Sequence, residues 1–214
     1  MKKFELTAEF VTNVFGKKLF RIKALVAFGD VEKGELGGFI EKEGNLSHDG
    51  DAWVSGDAWV SGDAWVSGDA WVSGNAQVSG NAWVYGDARV SGNAQVSGDA
   101  WVYGDARVSG NAQVSGDAQV SGNAQVSGDA RVSGNADFSV VEGFGRYFRA
   151  TTFFRCKDKI LRVQCGCFYG DLAQFREIVK KTHGDSKYAK EYLAIADLME
   201  LHFSDEEEKQ EAVE

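Results

Sequence analysis

Residues 51–74 read DAWVSGDAWVSGDAWVSGDAWVSG, four identical hexads in tandem. The unit [D/N]-A-x-V-[S/Y]-G continues to Val140, fifteen units if the degenerate NADFSV is counted. A period this strict governs the fold ahead of any single-residue propensity. Within a unit Ala and Val stand two apart, so on an extended chain both project to one side while x and Ser/Tyr project to the other. Gly followed by Asp or Asn supplies the turn, because these residues tolerate positive φ. Short strands that always present Ala and Val to the same side cannot alternate as hairpins do. The chain must coil in one sense around an Ala/Val interior.

The pattern resembles the hexapeptide-repeat, left-handed parallel β-helix family. There, three hexads build one triangular coil, an aliphatic residue fills the interior and a small residue precedes it by two. The series Val54, Val60, Val66 matches the aliphatic site, and Ala52, Ala58, Ala64 the small one. The resemblance implies a mainly β fold with about five triangular coils, roughly 24 Å of prism at the strand spacing of ~4.8 Å.

An eighteen-residue coil stacks residues in columns. One face carries Trp53, Trp71, Arg89, Arg107 and Gln125, and a second carries Trp59, Gln77, Gln95, Gln113 and Arg131. The third carries Trp65, Trp83, Trp101, Gln119 and Asp137. Tyr85 and Tyr103 replace serine only in the units that bear Trp83 and Trp101. Trp65, Trp83, Trp101, Tyr85 and Tyr103 are therefore the candidate binding residues, an aromatic platform on one flat face. Three readings stand open. Stacked aromatics stabilise parallel coils by themselves. A contiguous exposed aromatic face also suits a protein partner, either another copy or a different chain. A stacking ligand such as a carbohydrate is the third. At the corners Asp51, Asp69, Asp87 and Asp105 form a column, read as turn residues, as a calcium-binding line or as a phosphate-mimicking line of charge.

The net charge of −9 is concentrated in the repeat, where residues 51–137 hold three Arg against ten Asp. That balance disfavours direct nucleic-acid binding, which needs a positive footprint. No run of about 18 apolar residues occurs, so no membrane association is expected. The start, MKKFELTAEF, lacks the apolar stretch of a signal peptide. Three cysteines, an odd number, suit reduced thiols. The expected location is the cytoplasm.

Identical hexads have a register problem, since a slip by one unit leaves the interior unchanged. The flanks must pin the coils. In 1–50, EFVTNVFGKKLFRIKALVAF reads as a β-hairpin cap. ELGGFIEKEGNLSHDG reads as an irregular first coil, with Leu46 and Ile40 in the alanine phase and Leu36 in the valine phase. The β-helix proper is assigned to 51–140. In 141–203, YFRATTFFRCKDKILRVQCGCFYG reads as a hairpin turning near Lys157-Asp158. DLAQFREIVKKTHG follows as a helix with Asp171 as N-cap, Gln174 completing a capping box and Gly184 beyond its end. DSKYAKEYLAIADLMELHF is a second helix, with Tyr188, Tyr192, Ile195 and Met199 on one face. A ββαα module capping the last coil is expected, then an acidic disordered tail over 204–214. Both ends, through LFRIKALVAFGDVEKGELGGFIE and TTFFRCKDKILRVQCGCFYG…HGDSKYAKEYLAIADL, also resemble short hexapeptide-repeat proteins of phages and prophages of Gram-positive bacteria. That resemblance implies a phage or mobile-element origin and carries no assigned activity.

Many hexapeptide-repeat proteins are acyltransferases that use a coil-borne or loop-borne His as general base. Residues 51–137 contain no His and no inserted loop, since His48, His183 and His202 all lie in the flanks. The same lack removes the histidine ligands of a carbonic-anhydrase-like zinc centre. Ice-binding helices use Thr ladders, and no Thr occurs between Thr12 and Thr151. Cys165 and Cys167 share a strand face with Cys156 across the expected hairpin, so with His183 they could form a Cys₃His zinc site. Buried structural thiols, or one reactive thiol, are the other readings. The sequence thus points to a non-catalytic interaction or scaffold protein with no cofactor, self-associating as a homo-oligomer such as a trimer, or binding a host protein. An acidic inhibitor of a host DNA-handling or defence protein is the alternative, and an acyltransferase-like enzyme a third.

Overall fold

The Ala-x-Val alternation builds strands only two residues long, each closed by a glycine turn. In the computed structural model, which describes residues 2–204, fourteen such strands run from β4 (Trp53–Val54) to β17 (Arg131–Val132). They follow β1 (Phe4–Thr12), β2 (Lys18–Ala24) and β3 (Leu36–Ile40). Partners stand eighteen residues apart and run parallel, as in Trp53↔Trp71, Trp59↔Gln77 and Trp65↔Trp83. Three faces result, together a parallel β-solenoid of about five coils. The alanines and valines of the repeat through Val132 are buried and form its interior.

Successive coils are joined by main-chain bonds of one kind. Trp53 N donates to Ala70 O at 3.0 Å, Ser55 N to Val72 O at 2.8 Å and Asp57 N to Gly74 O at 2.9 Å, and the set recurs down the stack. The corners explain the invariant glycine. Gly86 has φ +72°, and a Cβ there would lie 3.0 Å from Gly104 N of the next coil. Conformation and stacking each exclude a side chain.

The N-terminal hairpin caps the solenoid by extending one face. β1 and β2 pair antiparallel, β2 pairs with β3, and β3 runs parallel to β5 (Trp59–Val60), so the first edge of that face is not left open. The first coil differs from its expected phase. Ile40 pairs with Val60 and Leu46 with Val66, so both occupy the valine site rather than the alanine site. The two extra residues fall between Leu46 and Val54, eight apart where the repeat takes six. Within the six-residue step from Ile40 to Leu46 a 3₁₀ turn at Glu43–Asn45 forms, and buried Asn45 donates through Nδ2 to Gly62 O and Ala64 O. Leu36, expected inward, pairs with Lys23 in the hairpin and is exposed.

The chain divides into two units, residues 1–135 and 136–214. The fifteenth hexad therefore leaves the solenoid: β18 (Phe138–Val141) pairs antiparallel with β19 (Thr151–Arg155). Phe138 stands where the interior takes valine, and Val140 replaces the glycine the corner requires. The second unit is a four-stranded antiparallel sheet, β18-β19-β20 (Leu161–Cys165)-β21 (Phe168–Asp171), followed by α1 (Leu172–His183) and α2 (Lys187–His202). It has two more strands than the hairpin read from sequence. The Asp171 capping box forms as expected: Gln174 N donates to Asp171 Oδ1 at 2.8 Å and Asp171 N to Gln174 Oε1 at 3.0 Å. Tyr192, Ile195 and Met199 close onto Phe153, Val163, Phe175 and Val179 in a core of its own. The acidic tail, from Asp205, lies outside the described residues.

Candidate functional site

Because β6 (Trp65–Val66), β9 (Trp83–Val84) and β12 (Trp101–Val102) are neighbours in one sheet, their valines enter the interior and their tryptophans face outward together. Trp83 and Trp101 stack 5.4 Å apart with rings 7° from parallel, and Trp65 meets Trp83 edge-on at 5.5 Å. Tyr85 stacks on Tyr103 at 5.0 Å and 1°, and turns its edge to Trp101 at 6.4 Å. All five aromatics named from the sequence thus form one continuous surface. Burial against this cluster, and secondarily Tyr103, raises the Tyr85 phenol above its ordinary pKa.

The six tryptophans are not equivalent. Trp65, Trp83 and Trp101 keep 37%, 40% and 37% of their surface exposed. Trp53, whose hexad is identical to that of Trp65, is wholly buried beneath Phe28, whose ring meets it edge-on at 5.4 Å. Trp71 is half-buried and donates Nε1–H to Ser55 Oγ at 3.1 Å. The N-terminal segment converts Trp53 from a face residue into a core residue.

The corner columns behave differently from one another. Asn75, Asn93 and Asn111 hand hydrogen bonds from coil to coil at 3.1–3.2 Å, ending on Asp129 Oδ1. In the acidic column, Asp51 N donates to Asp69 Oδ1 at 3.0 Å. Lys3, which the sequence did not single out, is buried and caps the first coil. Its Nζ donates to Gly50 O at 3.0 Å and Ala52 O at 2.9 Å, and burial lowers its pKa against the pull of Asp51, Asp49 and Asp69.

The four residues of the zinc reading separate into two places. Cys165 pairs with Thr151 at one end of β19, whereas Cys156 follows the other end and contacts the Tyr169 hydroxyl at 3.9 Å. Cys167 sits in the two-residue turn between β20 and β21. Cys165, Cys167 and His183 border one cavity of about 220 Å³, which Cys156 does not line. The hairpin turns where its sequence suggested, and Cys156 flanks that turn, its N–H donating to Ile160 O at 3.2 Å, whereas Cys165 lies at the opposite end of the strands. Among the described residues no three Cys, His, Asp or Glu side chains converge on a point that could hold a metal ion. Tyr192 also lines the cavity, and burial, then the neighbouring Cys165, pushes its phenol up to about 12.

No described helix is long and apolar enough to cross a membrane. The YdcK beta-solenoid repeat family matches residues 76–92, 82–98, 94–110, 100–116 and 124–136. That similarity supports a repeat β-solenoid and covers only part of the chain. No curated protein matches the sequence.

Proposed function

We propose that the chain is a non-catalytic scaffold, a left-handed solenoid whose Trp65–Trp83–Trp101 column, flanked by Tyr85 and Tyr103, docks a second copy of the chain or a host protein. One observation carries this reading: three tryptophans of one column keep more than a third of their surface in water, beside two stacked tyrosines. Tryptophan and tyrosine are the residues most often dominant at interfaces, because a large rigid ring is buried at small cost in conformational entropy. Ladder stacking alone does not call for the tyrosines, since the other columns stack without them. The setting that fits is the cytoplasm of a bacterial host, with the gene phage-borne and the assembly a homo-oligomer such as a trimer, without membrane or nucleic-acid binding. A second reading, an acidic inhibitor of a host DNA-handling protein, rests on the ten Asp against three Arg in residues 51–137.

The test is the double variant Trp83→Ala/Trp101→Ala, followed by light scattering and by copurification from host cells. Interface aromatics contribute about 2 kcal/mol or more each, so association is expected to weaken by roughly several-hundredfold, while the buried Ala and Val keep the fold. Trp71→Ala, on another face, is the control. Assembly and partner capture left unaltered in the double variant would overturn the interface reading.

A further inference from the structure

The cavity of the second unit has a composition unlike the rest of this acidic chain. Its floor is apolar, formed by Phe168, Phe175, Ile178 and Val179, and its rim carries Arg146 and Arg149. Among the described residues no carboxylate lines it. Both guanidiniums lie against the Tyr147 ring, at 5.6 Å and 5.1 Å from its centroid, and neither has a carboxylate partner among the described residues.

The rim is held in place. Gly145, at φ +73°, sits so close to α2 that a Cβ would fall 2.0 Å from Tyr192 Oη, and its N–H donates to Glu191 Oε2 at 2.9 Å. Phe148 adopts φ +52°, a left-handed conformation that costs a bulky residue free energy and that clusters at binding sites. The segment between these two residues carries Arg146, and Arg149 follows directly. Arg149 Nη1 also reaches the β20–β21 turn, 2.8 Å from where a Cβ on Gly166 would stand.

We propose that this cavity binds a small amphipathic carboxylate, its apolar part against Phe168, Phe175 and Val179 and its carboxylate between Arg146 and Arg149. Two guanidiniums without a carboxylate partner among the described residues, at the mouth of an apolar pocket, favour a planar anion through charge-assisted, bidentate hydrogen bonds. A neutral or cationic head group leaves them unsatisfied. The volume of about 220 Å³ equals the share of roughly seven waters in the liquid, the size of a medium-length acyl chain or one aromatic ring with a short acid arm. The site shares no residue with the aromatic column.

The full chain is titrated with octanoate, octanamide and octylammonium, following binding by calorimetry and the rate of thiol modification. Cys167 lines the cavity and is exposed, whereas Cys156 is buried and outside it. Saturable octanoate binding is expected, with protection of Cys167 and none of Cys156. Octanamide should bind at least about tenfold more weakly, as should octanoate to Arg149→Gln, reflecting the lost charge-assisted bonds. Thr182→Trp, at the exposed rim, should block binding with an unaltered far-UV spectrum, and Trp83→Ala should bind as the parent chain does. Absence of saturation, equal binding of octanoate and octanamide, or full binding to Thr182→Trp would overturn the proposal.

Discussion

Trp53 and Trp83 share the local sequence DAWV or NAWV, yet one is core and the other surface. Replacing Trp53 by Ala leaves a cavity beneath Phe28 and is expected to cost about 3–5 kcal/mol. Trp83→Ala removes only ladder contacts and should cost the monomer no more than about 1.5 kcal/mol. Urea unfolding of the two single variants measures the difference, and equal losses would contradict the burial contrast. The hexad phase specified that both rings leave the interior on the outward side. Nothing local could tell which of them the N-terminal segment covers, because Phe28 reaches Trp53 only after the hairpin has folded. Lys3 was illegible for the same reason: its role as a cap on Gly50 and Ala52 carbonyls exists only once the first coil is closed.

At the level of elements, the join between β3 and the first full coil is held by Glu41. It accepts the Gly62 N–H at 2.7 Å and bonds Lys17 Nζ at 2.9 Å. The Gly62 bond foremost, then Lys17 and Lys42, holds its carboxyl below the usual range. A depressed carboxylate stabilises the fold above the unfolded pKa of about 4.3 and loses that contribution as pH falls through the lower folded value. Glu41→Gln should therefore destabilise the neutral protein by on the order of 1 kcal/mol, given partial exposure. The gap from the parent should close in acid, and thermal melts between pH 7 and pH 3 measure it. Strands, corners and columns were legible because a strict period leaves them no freedom. The two-residue offset of Ile40 and Leu46 was not, since it arises in the eight-residue step from Leu46 to Val54, where Gly50-Asp51-Ala52 still reads as an ordinary corner. β18 was hidden because NADFSV retains enough of the hexad to be read as one more unit. The aromatic column followed directly from the period, whereas the cavity did not, for its walls come from the β20–β21 turn, both helices and a loop distant from them in sequence.

For the molecule as a whole, the solenoid and the second unit are stabilised in different ways. The second unit has a conventional core in which Phe153, Phe175 and Tyr192 meet across a sheet and two helices. The solenoid is filled by Ala and Val alone between Ala52 and Val132, each coil tied to the next by the same main-chain bonds. Its stability accrues coil by coil through neighbour contacts. Such a stack opens most readily from its ends, so solvent deuterium should reach the main-chain amides in an order set by position along the axis. We expect the slowest exchange in the coil of residues 87–104, with rates rising toward both ends, by mass spectrometry of labelled peptides. Equal protection along the repeat would mean that the coils open together in one step. Chemically the coils are near copies of one another; the graded exchange gives each a separate lifetime, so that a monotonous sequence acquires a clock that reads distance from the nearest end.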